Sequence, residues 1–597
     1  MGTQTPVGIH SYVGDCGGVP ALFVNGEVFP AAAYMTYLEE YNNYAQFAGS
    51  GYRLFSVPVL CAGRWISSTE LFKPFHAGIF DSKDHPDFSS LDSSVNRILA
   101  ACPDAYIFPR VNLSMPSWWI EENPDATDGT GKRELLCSEK YRETAADMLR
   151  RIIAHVNGSG YAAHIVGYHI AGGNTEEWFY FDMNAGCCKN AEAPFNAYLE
   201  KDHPGCGLSG LPDMSGLNKE GSLHNDLKLS LFLEFANGSV ADTVCYLSRV
   251  AKEATRRRVV VGAFLGYSLE VCSPLYGTHA LNKVLECGDV DFICSPNSYL
   301  GIRGADVDWT EMYPADSVRL HGKLCMQECD VRTHLTGLLS ETAPEYDPGQ
   351  NLTAPVWRGL ENREQSVAVI RKSFCRQLIK GNGFWWFDMW GGWYNDTVLL
   401  CEMRRFGEIY SDSLLKTDRS SVAETAVYVD ESAYALMTDC EKRNAITGQR
   451  IDLGFMGAPY DIYDVSDFPA VYEKYKATVF MSDVDTSAMR LARTLCAEHG
   501  KPYLSVSESK TRFLAGELRG FLKKCGAHIY CETPDLVYIN ENHLAIHASD
   551  GGDKTVRFKG IFEYRELLTD AVNVGVADTL TIRMKKNETK LFSLARR

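Results

Sequence analysis

Short apolar runs alternate with amphipathic helical stretches through roughly the first 400 residues. The runs lie at Ala21–Val24 with Ala31–Ala33, then Arg53–Val59, Ala105–Asn112, His164–Ile170, Val259–Leu265, Val290–Cys294, Lys323–Glu328 and Gly383–Met389. They are too short and too evenly apolar for surface helices and read as strands buried on both faces. Helical periodicity fills the gaps, as over Ser138–Val156 and Phe232–Arg256. Strand–helix alternation implies a parallel sheet. Eight such units fit a (β/α)8 barrel, and no G-x-G-x-x-G turn opens a helix to favour a doubly wound open sheet.

The pattern changes near residue 416. Ala426–Val429, Tyr460–Val465, Ala477–Met481 and Pro502–Val506 read as strands, with helices over Ser487–His499 and Leu514–Lys524. From about 526 only short alternating strands remain, at Leu536–Ile539, Leu544–Ala548, Thr555–Phe558 and Thr579–Met584. The Asp550-Gly551-Gly552 turn suggests hairpin pairing among them. The expected fold class is therefore α/β in three parts: a TIM barrel over 1–415, a small Rossmann-like α/β domain over 416–525, and a terminal β-sandwich over 526–597. The middle part is the candidate for subunit contacts in a homo-oligomer.

Polar and aromatic residues recur just after the strands: Arg110, Asn112, Trp118 and Trp119; Asn174 to Trp178; Tyr267; Asn297, Tyr299 and Arg303; Glu328, Asp330 and Arg332; Asp388, Trp390 and Trp393. In a barrel these strand ends meet at one face, where active sites sit. All tryptophans lie between Trp65 and Trp393, which assigns aromatic platforms to the barrel and support to the remainder. Two segments carry acids. In GYHIAGGNTEEWFYF (Gly167–Phe181) a buried strand runs into two glycines and then presents Glu176 and Glu177. In LCMQECDVRTHL (Leu324–Leu335) Glu328 ends an apolar strand, with Arg332 near enough to hold it ionised. Glycosidic bond cleavage needs two carboxyl groups, one protonated and one ionised, flanking the anomeric carbon. Strand ends four and seven of a closed barrel would bring Glu176 and Glu328 together.

Composition sharpens this picture. Apolar residues at 45% and charged residues at 23% describe an ordinary globular chain. A formal net charge of -17 repels phosphate backbones, so nucleic acid is not an expected partner. No stretch is long and apolar enough to span a membrane, and no secretory signal opens the chain, so a cytoplasmic location is expected. The 19 cysteines include no C-x-x-C pair and read as reduced core thiols, with no metal site or organic cofactor expected.

On these residues the chain resembles the clan A glycoside hydrolases, and within them family 42 β-galactosidases and family 164 β-mannosidases. PSWWIEENPD (Pro116–Asp125) is similar to the third-strand loop of the family 42 type, and GFWWFDMWGGWY, from Gly383, to its aromatic eighth strand. The resemblance implies a barrel, a middle α/β domain that helps build a trimer, and a terminal β-domain. It implies an acid/base at the fourth strand end, Glu176 or alternatively Glu177, and a nucleophile at the seventh, Glu328. One departure stands out: Thr175, not Asn, precedes Glu176, with Asn174 one position further back. The implied function is a retaining, exo-acting β-glycosidase, with a β-galactoside favoured. A β-mannosidase or another β-glycosidase on the same scaffold is the alternative, and a non-catalytic carbohydrate-binding protein the reading from another class. Trp119, Trp178 and Trp390 would stack on sugar. Arg110, Asn112, Asn174, Asn297 and Asp388 would bind hydroxyls, and Tyr299 would donate to Glu328.

Overall fold

The computed structural model describes the chain except residues 1–7, 64–72, 130–131, 174, 179–187, 219–223, 272, 439–442, 444–447 and 508. It opens with a three-stranded antiparallel sheet, β1 (Ser11–Asp15), β2 (Pro20–Val24) and β3 (Glu27–Val28). The expectation that Ala21–Val24 belongs with the first barrel strand is thereby corrected. Asn25 and Gly26 take φ of 52° and 90°, the left-handed pair that a tight hairpin needs. They fold β2 back onto β3.

Eight parallel strands then close a barrel: β4 (Ala32–Met35), β5 (Leu54–Leu60), β6 (Tyr106–Asn112), β7 (Gly167–Ala171), β8 (Val260–Ala263), β9 (Phe292–Pro296), β10 (Leu324–Cys329) and β11 (Gly383–Phe387). Nearly every residue in them is buried, which explains why each reads as an unbroken apolar run. Rings of Phe108, His169, Phe264, Phe292 and Trp385 pack against one another inside. Gly262 is needed there, because a Cβ would come within 2.1 Å of the Phe292 ring.

The outer helices start where side-chain caps allow. Ser138 accepts from the Tyr141 N–H ahead of Glu139–Gly158, and Asp226 from the Leu229 N–H ahead of Leu227–Ala254. The second helix thus begins five residues before the position that periodicity gave. Among the described residues no helix is long and apolar enough to cross a membrane.

Beyond the barrel lies a parallel sheet of β12 (Thr425–Val429), β13 (Asp461–Asp464), β14 (Ala477–Phe480) and β15 (Tyr503–Ser505), ordered 13-12-14-15. Apolar clusters cover both of its faces. The last sheet is antiparallel, with β16 (Leu536–Ile539), β17 (His543–His547), β18 (Gly552–Glu566), β19 (Val574–Met584) and β20 (Thr589–Arg596) in the order 16-17-20-18-19. The expected sandwich is one sheet here. One of its faces carries its own core, while Tyr538, Ala545 and Leu591 join the barrel core. The expected hairpin across Asp550-Gly551-Gly552 is not made, because β20 inserts between β17 and β18.

Candidate active site

Alternation along β6 points Phe108, Arg110 and Asn112 to the same side, the barrel interior. Arg110 is 1% exposed, and its guanidinium lies over the Phe264 ring, 4.8 Å from the centroid. At the end of β7 the chain knots. Gly173, Thr175, Glu176 and Trp178 all take left-handed φ, of 71°, 51°, 71° and 52°. Trp178 folds back over the strand and donates its indole N–H to the Ile170 carbonyl oxygen at 3.0 Å. A Cβ on Gly172 would lie 2.6 Å from that indole, so glycine is required where the ring seats. Left-handed non-glycine residues are strained, and such strain concentrates at functional sites. Here it turns Glu176 inward.

Arg110 joins the two predicted carboxylates. Its Nε lies 2.7 Å from Glu176 Oε2 and its Nη1 3.3 Å from Glu328 Oε2, while Nη2 donates to the Thr175 carbonyl oxygen at 2.9 Å. The Tyr37 hydroxyl donates to the same Glu176 oxygen at 3.4 Å. Glu176 Oε1 is buried and has no hydrogen-bond partner among the described residues. Glu177 instead accepts from the Thr175 hydroxyl and is hydrogen-bonded to Tyr267. Both of these donors are protein hydroxyls, whereas one Glu176 oxygen has no donor among the described residues.

Burial raises Glu176 to about 7, against the pull of Arg110 and the Tyr37 hydroxyl. Burial likewise raises Glu177 to about 7, against Arg110, Thr175 and Tyr267. Glu328 is pushed above the carboxylate range by burial first, with Asp330 and Glu177 adding to it, while Arg110 and Arg303 pull it down. Three buried carboxyls around one guanidinium do not all ionise, so the cluster keeps protons near neutrality. When Glu177 is protonated, one of the charges that raise Glu328 disappears.

The other expected residues divide. Trp390 is buried and, among the described residues, connects to the cluster only through Phe75 and Tyr37, with centroids 5.9 and 5.1 Å apart. Asn112 accepts from the Ser114 N–H, and its buried Nδ2 lacks a partner among the described residues. Asn174 lies outside the described residues. Trp119 is a core residue, not a platform: its indole donates to Thr144 at 3.0 Å and its ring meets Tyr141. Trp178, fully buried as the peg behind the loop, is not a platform either. Asn297 faces the helix Arg363–Lys380 through Ser373 and Gln377, outside the barrel interior. The Asp388 carboxylate is taken by Tyr34, Asn43 and the backbone N–H groups of Gly392 and Trp393, leaving nothing for a sugar hydroxyl. Tyr299 donates to Asp330 at 3.0 Å, not to Glu328. Arg332 also pairs with Asp330, so the cations facing Glu328 are Arg110 and Arg303. Tyr37 was missed because the first barrel strand extends to Met35, two residues beyond the run read as Ala31–Ala33. Counting from the true strand end would have placed Tyr37 at the mouth.

No protein-family model matches the sequence, and no curated protein does. Solved structures do. The β-galactosidase from Bacillus circulans sp. alkalophilus is 12% identical, with a TM-score of 0.62, over 94% of this chain and 98% of that one. An exo-carrageenase of family 42 from Bacteroides ovatus is 13% identical, with a TM-score of 0.59, over 100% of this chain and 86% of that one. The β-galactosidase from the haloarchaeon Halorubrum lacusprofundi is 11% identical, with a TM-score of 0.55, over 94% and 98%. What this chain shares with them along nearly its whole length is the fold: a closed (β/α)8 barrel followed by further α/β and all-β units.

Proposed function

We propose that this chain is a glycoside hydrolase, a retaining, exo-acting β-glycosidase, with a β-galactoside as the first substrate to try. One observation carries the reading: carboxylates from the fourth and seventh strand ends meet on a single buried guanidinium, Arg110. Glu328, in the ionised form that Arg110 and Arg303 favour against burial, attacks the anomeric carbon as the bond to the leaving oxygen breaks. Glu176 supplies the proton to that oxygen from Oε1, then takes one back from the water that hydrolyses the glycosyl ester. A pKa near 7 suits both roles. Glu176 is preferred to Glu177 because its buried Oε1 has no donor among the described residues and can carry the proton. Asn112 Nδ2 is free to bind a hydroxyl, and Trp390 lines the wall.

A panel of nitrophenyl α- and β-glycosides tests class and sugar together. Turnover of a β-glycoside, lost in Glu328→Ala and restored by azide with formation of a glycosyl azide, is the expected result. Sugar binding without turnover of any glycoside would make the protein a binding module. The division at 415 and 525 and an oligomer assembled through the middle unit belong to the same proposal. A monomer in light scattering would remove the latter.

A further inference from the structure

The buried groups just past Glu328 form a second constellation that hydrolysis does not use. Asp330 is fully buried and accepts from the Tyr299 hydroxyl at 3.0 Å, from Arg332 Nη1 at 2.7 Å and from Arg303 Nη1. Arg303 is shared, since it also faces Glu328. Arg303 is largely occupied, since its Nη2 also donates to the Asn297 carbonyl oxygen at 2.7 Å. Arg332 is not. Its Nη1 serves Asp330, but its Nε and Nη2 are buried and have no partner among the described residues. Those two N–H groups form the planar edge that grips an oxyanion with two parallel bonds.

The walls around that edge are aromatic. The Arg332 guanidinium lies 4.9 Å from the Trp357 ring centroid and 5.4 Å from that of Trp393. Trp390 meets both rings at 6.2 Å, and its own indole N–H is buried without a partner among the described residues. Ring faces offset part of a buried charge but do not accept from the guanidinium edge. The unsatisfied groups are all donors. Burying such donors is costly unless something accepts from them. Trp357 is only half-buried, so this wall reaches the surface. Through Trp390, Phe75 and Tyr37 it also runs back to Glu176.

We infer that Arg332, with Trp390, forms a subsite for an anionic substituent, a sulfate ester or a carboxylate, on the glycoside that Glu328 and Glu176 cleave. The inference rests on the hydrolytic reading above. The experiment compares kcat/KM for the neutral aryl β-glycoside chosen by the panel, its sulfate esters, and the matching aryl uronide. Wild type is expected to prefer at least one anionic partner by about tenfold or more, and which arm wins separates sulfate from carboxylate. Arg332→Gln should bring that ratio close to one. Arg332→Lys, which keeps the charge and loses the fork, should retain part of it. Equal wild-type turnover of neutral and anionic substrates would overturn the subsite and leave the hydrolase standing. If wild type turns over no glycoside, the hydrolytic reading fails, and calorimetric titration with sodium sulfate then decides the subsite alone. Sulfate binding that Arg332→Gln loses supports it. No binding, or equal binding by both proteins, overturns it.

Discussion

Two buried arginines hold this molecule's contrasts. Arg110 sits in the barrel mouth between Glu176 and Glu328. Arg376 sits where the barrel meets the terminal sheet, between Asp308 and Glu311. The charges are alike; the hydrogen bonding is not. Arg376 Nη1 lies 3.1 and 3.0 Å from the two Asp308 oxygens, and Nη2 lies 2.5 Å from Glu311. Tyr538 donates to Asp308 at 2.6 Å and Asn382 to Glu311 at 3.0 Å, so both Glu311 oxygens are served. Burial pushes Glu311 up, yet Arg376, Lys380 and Arg319 together hold it at about 2. Glu176 has Arg110 and one long tyrosine contact, and burial wins. A buried Arg–carboxylate pair is a clamp when every oxygen has a donor, and fits the proposed reactive centre when one oxygen is left over.

Removing one acid from each centre should separate them most widely. Glu328→Gln is expected to lower turnover by about 10⁴-fold or more, whereas Glu311→Gln leaves turnover per folded molecule near wild type. Steady-state kinetics beside a measured folded fraction checks this. Equal losses would mean the two centres are not different in kind. Within the mouth, Glu176→Gln should lose roughly 10²- to 10⁴-fold on substrates with poor leaving groups and far less on activated ones. Glu177→Gln should show no such dependence on the leaving group. The reverse pattern would move the acid to Glu177.

Stability should rank the arginines the other way. Arg376→Met leaves Asp308 and Glu311 buried without their cation and should cost about 3–5 kcal/mol in urea unfolding. Arg110→Met leaves carboxyls that already hold protons near neutrality, so roughly half that cost or less is expected. A larger loss at Arg110 would make the mouth the clamp.

Much of this was legible in sequence because buried parallel strands are continuous apolar runs, and a carboxylate ending such a run stands out. Glu328 was visible for that reason, and Glu176 because two glycines bend the chain before it. What was not legible was the direction of side chains. Trp119 and Trp178 follow strand ends as platforms would, yet their indoles are tied inward to Thr144 and to the Ile170 carbonyl. Gly172 was the clue, a glycine that yields its side-chain space to the Trp178 ring. Asn297 and Asp388 have the right chemistry at the right place in sequence, but neighbours consume their polar atoms. β20 breaks strict alternation, with Leu591 and Phe592 buried in succession, and was missed, and with it the order of the last sheet.

The subtlest difference is one of sign with pH. Glu176 moves from an ordinary 4.5 to about 7 on folding, and Glu311 from 4.5 to about 2. Each shift corresponds to roughly 3 kcal/mol at most. A raised carboxyl contributes its stability in full below about 4.5 and loses it as pH rises through 7. A depressed one contributes in full above about 4.5 and loses it as pH falls through 2. Glutamine abolishes both titrations. Relative to wild type, Glu176→Gln should therefore gain stability between about pH 5 and pH 8.5. Glu311→Gln should be destabilised equally at both pH values and recover only toward pH 3 and below. Urea midpoints of the three proteins across that range read both slopes. Because Glu177 and Glu328 share the mouth's protons, the Glu176→Gln gain should fall short of the full shift, while the Glu311 effect stands closer to it. If Glu176→Gln instead lost stability as pH rose, Arg110 would be holding Glu176 ionised, and the free oxygen in the mouth would carry no proton to give.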